Sequence, residues 1–217
     1  MTMRGVLITG TDTGVGKTLV STALVLGYGR RGERVAGLKP VVSGAVGGLW
    51  EDVESLRLAS NPPRTVEECA LYGFRDPVAP HWAAHEEGRT IDVEAVARFV
   101  REQAKSVDRI VVEGAGGFLV PLNARSGFAD LAQSLRLPVL LVVGLRLGAI
   151  NHARLTCEAI AARGLVLQGW VGSALGSEVA AGTIEGLKDY LPMPCLGVVP
   201  YHTPVDPAFA LQHLSLP

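Results

Sequence analysis

Apolar runs of strand length alternate with longer amphipathic stretches along the chain. The runs at 5–9, 34–38, 109–113, 138–143, 166–171 and 195–199 are mostly near-continuous in Val, Ile and Leu. That is the signature of strands covered on both faces, as in a parallel sheet. Helical periodicity predicts helices over 17–30, 50–60, 92–106, 127–135, 149–163 and 178–190. The alternation predicts an α/β fold, a single domain over 1–217 with a mostly parallel central sheet and helices on both faces. In such sheets ligands gather beyond the carboxyl ends of the strands, so the residues just past each run carry the functional weight.

Other stretches lack a clear period. Residues 44–51 read as a mobile loop. Residues 61–91 read as a long connection, and long ordered connections are often functional. His81 and His85, four apart, share a helix face. Without a third ligand nearby they read, with Pro80 and Trp82, as a binding wall rather than a metal pair, with Trp82 there for packing. The tail 202–217 shows little pattern.

The first apolar run leads into Gly10-Thr11-Asp12-Thr13-Gly14-Val15-Gly16-Lys17-Thr18, which opens a helix. A strand, a glycine-rich turn and a helix N-terminus form a phosphate cradle, because free backbone N–H groups and the helix dipole converge there. This predicts a P-loop NTPase fold. Lys17 would reach the β- and γ-phosphates and the Thr18 hydroxyl would ligate Mg²⁺. Gly10 and Gly16 stand one residue farther apart than the general pattern has them.

Later landmarks fall at the ends of other runs. Lys39 ends the second strand, where a buried ammonium needs an anionic partner; Ser43 and Gly44 follow it. Asp52 opens a helix and reads first as an N-cap, with Mg²⁺ ligation as the rival role. Glu113 directly follows Ile-Val-Val, where P-loop NTPases place a second metal-linked acid. Gly114, Ala115, Gly116 and Gly117 after it permit close approach to a ligand. Gly148, Ala149, Ile150 and Asn151 start a helix whose N–H groups either receive an anion such as a carboxylate or are capped by Asn151; His152 reads as structural. Ser173-Ala174 and Val199-Pro200-Tyr201 end the last strands and are candidates for base and ribose contacts.

Composition narrows the class. A net charge of −1 with no block of like charges argues against nucleic-acid or anionic-membrane partners. The longest apolar run, Val139 to Val143, is too short to span a bilayer, and no secretory signal is expected from the first residues. Cys69, Cys157 and Cys195 lack motif spacing and suit a reducing compartment as buried thiols. The expectation is a cytoplasmic enzyme or ATPase.

Five stretches together resemble dethiobiotin synthetase: 10–18, Lys-Pro-Val-Val-Ser-Gly at 39–44, Val-Glu-Gly-Ala-Gly-Gly at 112–117, Gly-Ala-Ile-Asn-His at 148–152 and Gly-Trp-Val at 169–171. The longer glycine spacing is that family's own. The resemblance implies about seven strands, a homodimer, and a ligase of biotin biosynthesis. It would use Mg²⁺ and ATP, or another nucleoside triphosphate, to join CO₂ to 7,8-diaminononanoate and close a cyclic urea. Carried over, Lys17 and Lys39 hold phosphates and the carbamate. Thr18, Asp52 and Glu113 are Mg²⁺ ligands. Thr11 and Ser43 contact the diamine or its carbamate, with Gly117 beside them. Residues 148–151 come from the other subunit and receive the substrate carboxylate. Better-known members often carry Glu where Gly14 stands, and an adenine-reading Asn-Asp pair where Ser173-Ala174 stands, so the nucleotide preference stays open. Two rival classes remain. A cobyrinate diamide synthase-like ligase usually carries a glutaminase domain or partner, and none is expected here. A MinD/ParA-type switch ATPase needs a second lysine early in the loop, where Asp12 stands.

Overall fold

The computed structural model describes residues 3–217. Its main sheet has six strands: β1 (Gly5–Gly10), β2 (Val35–Leu38), β5 (Arg109–Gly117), β6 (Val139–Leu145), β7 (Leu167–Ala174) and β8 (Cys195–Val199). Their order is β2-β5-β1-β6-β7-β8, and every pair is parallel. Two further strands, β3 (Val41–Ser43) and β4 (Tyr72–Phe74), pair with each other in a small parallel sheet. The main sheet thus has one strand fewer than the family resemblance implies.

Alternation along each strand sorts the core into two layers. In β1, Leu7 packs into one cluster, with Val96 and Val100 of α5 (Val93–Ala104) and Phe128 and Leu131 of α6 (Phe128–Leu135). Its neighbours Val6 and Ile8 face the other way, toward Val20, Leu24 and Tyr28 of α1 (Lys17–Arg30) and Leu56 of α2 (Glu51–Ala59). A third cluster, around the fully buried Trp170, seats α7 (Ala149–Ala162) and α8 (Thr183–Tyr190) on β6 and β7. Each such fully buried side chain is worth about 1.5–3 kcal/mol.

Several expectations are corrected. The connection 61–91 contains α3 (Val66–Cys69), β4 and α4 (Pro80–Glu86). β3 and β4 have three residues each, too few to show a period. Segment 44–51 holds a turn closed by reciprocal Val46 and Leu49 backbone hydrogen bonds of 2.8 and 3.0 Å, and Trp50 Nε1 beside it donates to the Phe74 carbonyl at 2.9 Å. Trp82, expected to pack, is half exposed and stacks on His85. The helix expected from 178 starts at Thr183, after Gly182 in a left-handed conformation. The tail, read as patternless, contains α9 (Pro207–Leu211), which packs on α1. Cys69 and Cys157 are buried, and burial pushes their thiols up to about 12 and about 11; Cys195 is only partly buried.

Candidate active site

β1 lies between β5 and β6, so the chain reverses its direction of travel across the sheet at its carboxyl end, where a ligand crevice is expected. Glu113 pairs in register with Ile8, and the ladder shifts before Gly10 meets Gly117. The carboxylate therefore sits beside the start of the phosphate loop. The loop is pinned at one end by Thr11 N–H, which donates to the Val142 carbonyl at 3.0 Å. Val15 is buried and packs against Gly144, so its side chain is a core anchor and only its backbone is left for a ligand. Gly16 closes the loop at φ 88°, and a Cβ there would meet Ser173 Oγ at 2.5 Å. Glycine is thus required twice over, by conformation and by space.

α1 starts at Lys17 with no side-chain cap and no acid in its first turn, which leaves its N–H groups for an anion. Lys17 is buried, and its Nζ donates to the Asp12 carbonyl at 2.8 Å. Lys39, immediately past β2, is equally buried. Its Nζ donates to Glu113 Oε1 at 2.7 Å and to the Asp52 carboxylate. Thr18 Oγ1 lies 2.8 Å from both Asp52 Oδ1 and Glu113 Oε1, and its single proton serves one at a time. Asp52 is not the helix cap: α2 begins at Glu51 after Trp50, which frees the Asp52 carboxylate for the site.

The charges are strongly coupled. Burial and the nearby Lys39 ammonium push Lys17 down to about 8. Burial opposes the charge on Lys39, but Glu113 and Asp52 outweigh it and hold the amine above the usual lysine range. Burial opposes ionisation of Asp52, yet Lys39 and Thr18 hold its carboxyl below the usual range. Among the described residues Lys17 makes no salt bridge of its own, and its repulsion by Lys39 is an unfavourable pairing that a polyanion would relieve.

Glu113 is wholly inaccessible to solvent, and its Oε2 has no hydrogen-bond partner. An orphaned buried carboxylate oxygen is costly and calls for a cation or water. With the Thr18 hydroxyl and Asp52 it forms an oxygen-only donor set, which fits a hard divalent ion such as Mg²⁺.

These groups line a cavity of about 510 Å³ together with Thr13, Gly14, Gly16, Gly116, Ser173, Ala174, Pro200 and Tyr201. Other predicted site residues lie elsewhere. Ser43 donates to the Val78 carbonyl at 2.8 Å, and Thr11 Oγ1 accepts from Gly144 N–H at 3.4 Å. Gly114 gives room to the Phe128 ring, which a Cβ would meet at 2.9 Å, and Ala115 is buried. Asp12 binds Thr13 N–H at 2.7 Å and the Arg146 guanidinium at 2.5 Å. Val199 is buried, while Gly148, Ile150 and Asn151 border a separate surface hollow. Gly148 occupies the N-cap position of α7, so Asn151 is not its cap. Leu19, Leu175, His202 and Val205 also line the main cavity and were not foreseen. Leu19, Leu175 and His202 each adjoin a predicted site residue, Thr18, Ala174 and Tyr201, and only Val205 stands apart from one.

A family profile described as an AAA domain matches residues 4–208. ATP-dependent dethiobiotin synthetase BioD of Nitrosospira multiformis is 46% identical over 200 residues, covering 91% of this chain and 88% of the relative. The chain belongs to the dethiobiotin synthetase family. Another member, from Aromatoleum aromaticum, is 44% identical and aligns over 99% of this chain and 98% of its own. Among solved structures, the cell division ATPase MinD of Pyrococcus furiosus superposes with a TM-score of 0.61 at 18% identity, covering 97% of this chain and 88% of that one. MinD of Pyrococcus horikoshii, solved with Mg-ADP, gives 0.59 at 16% identity, covering 96% and 85%. At such identity these two attest the fold alone. Family membership separates this chain from the cell division ATPases that share its architecture.

Proposed function

We propose that the protein is a dethiobiotin synthetase: a ligase that uses ATP to carboxylate 7,8-diaminononanoate and close the cyclic urea, releasing ADP and phosphate. Identity of 46% and 44% to family members over 91% and 99% of the chain supports the reaction. The observation that carries its placement is the convergence of Lys17, Lys39, Thr18, Asp52 and Glu113 in one cavity.

The chemistry follows from the charges. One amine of the diamine adds to CO₂ and loses a proton, giving a carbamate. A carbamate oxygen attacks the γ-phosphorus and ADP leaves, forming a carbamic–phosphoric anhydride. The second amine attacks the carbonyl carbon, the C–O bond to phosphate breaks, and the departing phosphate takes up the proton that the amine loses. The phosphoryl transfer brings two anions together, so fixed positive charge supplies most of the help. The phosphate loop and the first turn of α1 hold the β- and γ-phosphates, and Lys17 exchanges its Asp12 carbonyl contact for them. Lys39, held by two carboxylates, presents its ammonium between the phosphate and the carbamate. Thr18, Asp52 and Glu113 would hold Mg²⁺, which would supply positive charge against the triphosphate as ADP leaves. The chain positions the second amine and leaves its attack without a dedicated base, because the amine arrives neutral.

Thr11, Ser43 and Gly117 border the diamine in this reading. Gly148, Ala149, Ile150 and Asn151 serve the site of a second copy. The support is that α7 opens on an uncapped first turn beside a hollow away from the phosphate loop, next to Leu147, which is 92% exposed. Light scattering under assay conditions should give a homodimer; a monomer would remove these residues from the reaction. Among the described residues no helix is long and apolar enough to cross a membrane. Purified protein given diaminononanoate, bicarbonate and Mg-ATP should yield dethiobiotin by mass spectrometry. No product with any nucleoside triphosphate would refute the reading.

A further inference from the structure

Lys39 and Glu113 lie on the β2–β5 side of β1, whereas Ser173 and the segment after β8 lie on the opposite, β7–β8 side. A nucleotide whose triphosphate tail sits at Lys17 therefore extends its nucleoside toward Pro200, Tyr201, His202 and Val205. These four residues are on a loop whose own exposure is high: Tyr201 is 50% and Val205 72% accessible. What keeps such a loop in place lies outside the cavity. The His202 ring stacks on Phe209 with centroids 4.2 Å apart and planes 25° apart, and its Nδ1–H donates to the Pro204 carbonyl at 2.7 Å. His213 packs on Phe209 at 4.8 Å. Phe209 belongs to α9, which is tied to the phosphate-loop helix. Leu211 and Leu216 fill the space left by Gly27, and Tyr28 donates its hydroxyl to the Pro217 carbonyl at 2.9 Å. Ser215 N–H donates to the Leu196 carbonyl at 2.7 Å, which fixes the tail on β8.

We propose that Phe209 is a positioning residue for the nucleoside end of the nucleotide. In contact with the His202 and His213 rings, it braces the 200–205 wall against α1, so that the wall receives the nucleoside already ordered. The assignment rests on the nucleotide reading above. It differs from a general structural role in what it should leave untouched: the triphosphate end is set by the phosphate loop and needs no such wall.

The test compares two probes, Mg-ATP and magnesium tripolyphosphate, by calorimetry on the full-length protein. Phe209→Ala should weaken ATP about tenfold, the loss expected of a stacked aromatic contact. Tripolyphosphate affinity should stay within about twofold, and in turnover KM for ATP should rise with kcat nearly unchanged. Phe209→Tyr should restore ATP binding. If Phe209→Ala fails to fold, Phe209→Leu carries the same comparison with the apolar volume kept. Unchanged ATP affinity in a folded variant, or equal weakening of both probes, would overturn the proposal. Wild-type protein that binds neither probe would overturn the nucleotide reading and this brace with it.

Discussion

Lys39→Gln is expected to lower kcat by about a hundredfold or more while the protein still binds nucleotide, the loss seen when one donor to transition-state charge is removed. The substitution keeps roughly the length of the side chain and a hydrogen-bond donor, but removes the charge. In the structure that charge is the shared partner of Asp52 and Glu113, so it stands where phosphate and carbamate would meet. Nucleotide affinity should persist because the phosphate loop, Lys17 and the first turn of α1 are separate from it. A hundredfold corresponds to about 2.7 kcal/mol of transition-state stabilisation. Steady-state turnover alongside calorimetric nucleotide binding measures both halves. Unchanged turnover would remove Lys39 from the reaction.

Glu113→Ala should be the most destabilising single change in the site. Glu113 is fully buried and accepts from Lys39 at 2.7 Å; without it, a buried ammonium keeps only Asp52. Breaking a buried pair by removing one partner costs about 3–5 kcal/mol. For a chain of this size that lowers the unfolding midpoint by about 6–20 °C. Thermal unfolding without ligands measures it. Glu113→Gln keeps the volume and an acceptor and should lose less. The double change Lys39→Met with Glu113→Leu should be less destabilising than Glu113→Ala, because it removes both charges together. A midpoint for Glu113→Ala equal to wild type would show that Lys39 does not depend on this carboxylate.

How much of this was legible in the sequence depended on whether the cause was local. The continuous apolar run Val6-Leu7-Ile8 and the glycines before Lys17 mark a strand, a turn and a helix start within one short stretch, and the structure has all three. Glu113 could be singled out because an acid directly after the apolar run Ile-Val-Val has few uses, although β5 continues past it to Gly117. Asp52 could not be decided: an aspartate near a helix start is ordinarily a cap, and only the placement of Trp50 at the cap position shows that its carboxylate is free. β3 and β4 are too short to carry a period, and their pairing joins residues some thirty positions apart. α9 is defined by its packing on Gly27 and Tyr28 of α1, far away in sequence. Val205 reaches the cavity four residues beyond Tyr201, and no feature of the tail itself announces it. The six-stranded sheet follows the same logic, since β3 and β4 pair with each other in a separate two-stranded sheet.

The central claim is that a carbamate oxygen and the γ-phosphate meet beneath Lys17 and Lys39. The most direct measurement follows that oxygen: turnover of the diamine with ¹⁸O-labelled CO₂ and Mg-ATP in ordinary water, read by mass spectrometry of the phosphate before label exchanges. The expected result is one ¹⁸O atom in each phosphate released, with dethiobiotin formed in equal amount. Unlabelled phosphate, its new oxygen drawn from water, would contradict the account.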